Sequence, residues 1–315
     1  MGSKLFDLGS EQGVLRLSIA VTLFIAVIGV GFGLASGSFS IIFDGVYSLV
    51  DASMSGLSLV VVRLITSHTR SERMSRKLRE RFTMGFWHLE PMVLALNGIL
   101  LTGVALYALI NAVASLLDGG RELEFGVALI YAVLTVTACV AIAIAEARAN
   151  RKIGSDFVRM DVKGWVMSAS ITAALLIAFC VGIAVQGTEW EWISPYIDPA
   201  VLALVCLVII PIPLSVIRQA LGEMFLVTPG DLKQHVDEVA QAFVERHSML
   251  SYRAYVAKVG RSREIELYFI VPKTMPARNI AEWDAWRDEI GNAIGGEGPD
   301  RWLTVVFTGD PEWAE

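Results

Sequence analysis

Of the 315 residues, 54% are hydrophobic and only 18% charged, against about 25% charged in a soluble globular chain, and mean hydropathy is +0.56. That balance points to a membrane protein. A formal net charge of −6 speaks against a nucleic-acid partner, which needs a surplus of Lys and Arg on one face, and Cys139, Cys180 and Cys206 lack the spacing of a disulfide framework or a cysteine-built zinc site.

In chain order, residues 1–13 mix charges of both signs and lack a short apolar core with a cleavage site, so a cytoplasmic N-terminal segment followed by a retained helix is expected. Phe6 breaks the myristoylation pattern. Six apolar stretches follow at 14–36, 39–65, 91–117, 125–146, 157–186 and 199–220, each near the roughly 20 residues that cross a bilayer. They predict an all-α six-helix transmembrane bundle over 14–220. Gly29 and Gly33 lie inside the first stretch with no strand before them, so close helix packing is expected there rather than a nucleotide loop.

Lys and Arg gather in two connections, Arg63 to Arg81 and Arg148 to Lys163, whereas the others are short or acidic. By the positive-inside tendency both basic loops and both termini are cytoplasmic, and the plasma or inner membrane is the expected location. Residues 221–315 read as a cytoplasmic domain. Leu232, Val236, Val239 and Phe243 form a helical stripe, and Ile265, Leu267, Phe269 and Val271 alternate against Glu264, Glu266 and Tyr268 after a turn near Gly260. A second helix at 278–294 and a strand at 302–307 complete an αββαβ order, a small α+β sheet with helices on one face.

Ionisable groups inside the spans carry the chemistry, because an Asp in mid-membrane costs about 2.5–3.5 kcal/mol unless a partner, ion or water compensates it. Asp44 and Asp51 are two turns apart with Tyr47 between them, all on one face of the second span. Counting about 1.5 Å per residue from the basic ends, Asp51 and Ser168 share a level near mid-membrane, Asp161 lies close to the cytoplasmic edge and Asp44 close to the outer face. The three carboxylates therefore cannot bind a single ion together. Asn97 either closes the site or bridges two helices, Glu90 stands near the cytoplasmic mouth, and the four histidines form no metal-binding cluster.

This layout resembles the cation diffusion facilitator family over nearly the whole chain. The second span looks like that family's metal-site helix, its (H/D)xxxD motif falling on Tyr47 and Asp51. Residues 85–106 resemble the opening of the third span, with Glu90 matching its acid. Asp198 and Pro199 match the opening of the sixth. The resemblance implies a ferredoxin-like C-terminal domain that dimerises. It also implies departures: the fifth-span pair falls on Gly164 and Ser168, and in the C-terminal domain Thr308 stands where relatives hold a His, with Asp310 retained.

An oxygen-rich site of Asp51, Tyr47, Ser168, Asp44, Asp161 and Asn97 suits a hard divalent ion better than zinc, which prefers four close N, S or O ligands. The expected activity is proton-coupled efflux of a divalent metal cation (Mg, Mn, Fe or Zn) by a homodimer in the lipid bilayer, with Asp51 alternately holding cation and proton. The alternative is a transport-inactive, facilitator-like partner or regulatory subunit. No resident cofactor is expected, and the absence of GxSxG, HExxH or a catalytic aspartate pair speaks against an enzyme.

Overall fold

The computed structural model describes residues 11–69, 80, 82, 85–153 and 156–315. Most of the first basic connection, including Arg70, Arg73, Arg76, Lys77, Arg79 and Arg81, lies outside the described residues, as does the segment 1–10. Helices α1 (Glu11–Ser36), α2 (Phe39–Thr69), α3 (Leu89–Leu117), α4 (Phe125–Ile153) and α5 (Asp156–Val185) are followed by a short 3-10 turn (Glu191–Ile193), α6 (Ser194–Ile209) and α7 (Pro211–Met224). Among the described residues six spans are long and apolar enough to cross a membrane, the last running from Glu191 to Met224. The predicted six-span bundle is what the chain forms. The sixth span is broken, however, because Pro211 and Pro213 have no N–H to give to the carbonyls of Leu207 and Ile209.

Two compact units are present, residues 1–57 with 96–216 and residues 58–95 with 217–315. In the first, large apolar side chains such as Phe24, Val27, Ile110 and Leu207 point outward, as lipid-facing positions require, while small residues line the helix contacts. Ala105, Ala108 and Ala112 are buried against Phe43, Leu202 and Cys206. α1 and α2 cross closely at glycines: a Cβ on Gly29 would stand 3.1 Å from the Gly45 Cα, and one on Gly33 only 2.7 Å from the Ile42 nitrogen. α4 and α5 pack along their length through Phe125, Tyr131, Leu175 and Phe179.

Asp198, 2% exposed, ties the sixth span to the start of α2. The Phe39 N–H donates to its Oδ2 at 3.0 Å and the Ser38 hydroxyl to its Oδ1 at 2.6 Å. A carboxylate placed against the orphan N–H groups of a helix start satisfies them and the helix dipole together. The Asp-Pro pair is thus a cap for another helix.

In the second unit, α8 (Gly230–His247), β1 (Ser251–Val259), β2 (Ser262–Ile270), α9 (Ile280–Ile294) and β3 (Arg301–Thr308) give the expected αββαβ order. The sheet runs β1-β2-β3, antiparallel between β1 and β2 and parallel between β2 and β3. Ile265, Leu267 and Phe269 bury one face of β2 against Val236, Ala240, Phe243 and Ile290 of the two helices. Trp283 and Trp286 both meet the Phe307 ring at tilted angles, and Trp286 packs against this core. The β1–β2 turn carries Gly260 at φ +59°. It presses onto helix ends of the same unit: the Gly260 N–H and the Lys258 ammonium both donate to the Glu223 carboxylate at 3.0 Å, and Arg261 pairs with Glu90 at 3.1 Å.

Candidate metal centre

α2 places Asp44, Tyr47 and Asp51 at i, i+3 and i+7, a spacing that keeps them on one side of the helix. That side opens on a cavity of about 180 Å³ whose lining includes all three, together with Asp161, Gly164 and Ser168 of α5. A volume of that size admits a cation with several of its waters. The sequence-expected residues Asp44, Tyr47, Asp51, Asp161 and Ser168 therefore face one space. Asn97 of α3 is not part of the lining; it stands beside the Asp51 carboxyl, and its own Oδ1 is buried without a partner.

The carboxylates differ in their surroundings. Asp44 accepts a 2.7 Å hydrogen bond from the Tyr131 hydroxyl, and Tyr131 is fully buried. Its phenol reaches Asp44 because Gly29 leaves room: a Cβ there would stand 2.8 Å from the hydroxyl oxygen. Asp51 has Tyr47 one turn away and feels the charge of Asp161 across the cavity. The Ser168 hydroxyl receives a long 3.7 Å contact from the Cys139 thiol, and Thr172 donates to the Ser168 carbonyl at 3.0 Å. At Gly164 an added Cβ would meet nothing within 4 Å.

Two residues at or beside the cavity escaped the sequence reading. Cys139 of α4 lines the cavity but is a lone thiol in an apolar run. Glu146 of the same helix is 1% exposed and faces Asp161. It sits at the polar end of its span, where a carboxylate reads as an ordinary wetted fringe. The signal for it was spacing, since Cys139, Ala143 and Glu146 repeat at helical intervals and all three are buried.

Elsewhere the candidates separate. Asp310 caps the final 3-10 turn (Pro311–Ala314), accepting from the Glu312 N–H at 3.2 Å, while the Asp310 N–H donates to the Thr308 hydroxyl at 3.1 Å. His88 is exposed, His235 bonds the Ile294 carbonyl and His247 meets Glu289; the side chain of His68 lies outside the described residues. Among the described residues no three His, Cys, Asp or Glu side chains gather as a preformed metal cage.

Residues 15–225, more than half of the chain, match the family model of the cation efflux transmembrane domain. The chain belongs to the cation efflux family. A search of curated proteins returned no match. As a cation efflux protein with six spans it is a multi-pass membrane protein and a metal cation transporter in the general sense. Within it, Tyr47 and Asp51 of the second span and Gly164 and Ser168 of the fifth line the same cavity.

Proposed function

We propose that this chain exports a hard divalent cation from the cytoplasm in exchange for protons, through the cavity bounded by Asp44, Tyr47, Asp51, Asp161 and Ser168. What supports this most directly is the donor set. Every one of those side chains offers oxygen, they face one space large enough for a partly hydrated ion, and no cage of three strong ligands is present among the described residues. Magnesium binds through one or two carboxylates and keeps several waters, and manganese or ferrous iron accepts oxygen donors. Zinc would find three acids that do not gather, a phenol and a hydroxyl where it prefers a closed tetrahedron. In this reading Asp51 is the exchanging group, Asn97 orients its carboxyl, Asp161 is the cytoplasmic approach and Asp44 the outer one, and the C-terminal domain joins two copies.

The test is uptake into vesicles carrying the purified chain, with an imposed pH gradient and Mn²⁺, Mg²⁺ and Zn²⁺ offered separately. Uptake of Mn²⁺ or Mg²⁺ that collapses with the gradient and is abolished in Asp51→Ala is the expected result. Zinc uptake lost in the same variant would overturn the ion ranking. Gly164 and Ser168 favour one rival, a transport-inactive partner chain, which would purify as a heterodimer and move no ion in any of these assays.

A further inference from the structure

Beside the cavity, Glu146 of α4 and Asp161 of α5 form a buried acidic pair with Ser18 of α1 next to them. The Glu146 carboxyl, 1% exposed, stands close to the Asp161 carboxyl. Both Glu146 oxygens and Asp161 Oδ2 are buried without any hydrogen-bond partner. Ser18 and Trp165 stand beside them, but the Trp165 indole N–H is committed to the Ser18 Oγ at 2.8 Å. With its oxygen accepting that bond, the Ser18 hydroxyl is fixed in place, and Ser18 itself is 4% exposed. Among the described residues no Lys or Arg forms an ion pair with either acid.

Two carboxylates at this range repel, and an unpartnered buried carboxylate oxygen forfeits the full hydration it had in water. Packing gives no reason for the arrangement: Glu146 continues a face of α4 whose preceding positions, Ala143 and Cys139, are apolar core. Two converging acids with a fixed hydroxyl are a donor set for a small oxygen-seeking dication, which takes one or two carboxylates and completes its shell with water. Asp161 also lines the main cavity, so an ion held here stands at the edge of the space that Asp51 faces.

We propose that Glu146 and Asp161, with the Ser18 hydroxyl, form a second cation station that receives a divalent ion of the Mg²⁺ or Mn²⁺ class before it passes to Asp51. The assignment rests on the reading of the chain as a divalent-cation carrier. It adds a residue, Glu146, and a helix, α4, to the path.

The experiment is a Mn²⁺ titration of the purified full-length chain, followed by the loss of the free-ion EPR signal, for the native protein, Glu146→Gln and Asp51→Asn. Two ions per chain are expected for the native protein and one for each variant. A Glu146→Gln protein that binds as many ions as the native one, at unchanged affinity, overturns the proposal; the pair then holds a proton between its acids. One ion in the native protein, lost only in Asp51→Asn, overturns it as well and leaves the main site standing. One ion lost only in Glu146→Gln supports this station and sinks the Asp51 reading instead. Should Glu146→Gln not fold, Glu146→Asp keeps the charge at a shorter reach. Binding of the second ion is then expected to weaken about tenfold, and unchanged affinity overturns the proposal.

Discussion

Asp44 shows how one residue can look like a ligand in the sequence and be something more constrained in the fold. Its position on α2 beside Tyr47 and Asp51 was readable from helical spacing, but its partner Tyr131 is 87 positions away and no local pattern announces it. A buried hydrogen bond contributes about 0.5–1.5 kcal/mol, and stranding one partner costs about 1–3 kcal/mol. Tyr131→Phe is therefore expected to lower the thermal midpoint of the purified chain while leaving Asp51-dependent uptake in place, and loss of uptake without loss of stability would instead make Asp44 an obligatory ligand. Outside the membrane, burial first and the neighbouring Glu266 charge second hold the Glu264 carboxyl above its ordinary value of 4.5. The folded chain then keeps that proton more tightly than the unfolded one, so the stabilisation is complete below the ordinary value and is lost as pH rises through the raised one. Glu264→Gln should raise the thermal midpoint near neutral pH and change it little near about pH 4, as a pair of melting curves at the two pH values will show.

At the scale of helices and strands, the sequence spoke most clearly where one periodicity ruled. Long apolar runs located all six spans, and the alternation of Ile265, Leu267 and Phe269 located β2 with its buried face. It spoke less clearly where a side chain serves another element, as Asp198 does in capping α2, or where a polar residue at a span's end turns inward, as Glu146 does. In the fifth span the lack of an imidazole or carboxylate at positions 164 and 168 is a matter of composition and not of space. Room is free at Gly164, and Ser168 already faces the cavity opposite α2. Replacing both, Gly164→His with Ser168→Asp, adds an imidazole and a carboxylate one turn apart. The double variant is expected to bind zinc at least tenfold more tightly than the native chain, measured by competition against a chromophoric chelator; unchanged affinity would mean that the pair cannot converge with Asp51.

Over the whole molecule, the division at residues 57/58, 95/96 and 216/217 assigns parts of α2 and α3 and most of α7 to the same unit as the C-terminal sheet, where the sequence places a boundary at 220/221. Within that unit the β1–β2 turn is held by two acids of unequal weight. Glu90 and Arg261 are about a third exposed, at 27% and 33%, and such pairs contribute about 0–1 kcal/mol. Glu223 is 8% exposed and alone accepts the Gly260 N–H, so Glu223→Ala strands a buried donor at a cost of about 1–3 kcal/mol. Glu223→Ala should thus speed proteolysis of the turn far more than Arg261→Ala, and equal cleavage of the two variants would show that the turn is anchored elsewhere.

The broken sixth span has a further consequence. Ile209 and Ile212, on either side of the break, both border the cavity, so one wall of that chamber is made of two short rods meeting at a joint. Bending there is opposed by fewer backbone bonds, because Pro211 and Pro213 supply no N–H to Leu207 and Ile209. A wall of that kind can swing while its neighbours stay rigid, and the shape of the chamber is then set by an angle as much as by any side chain.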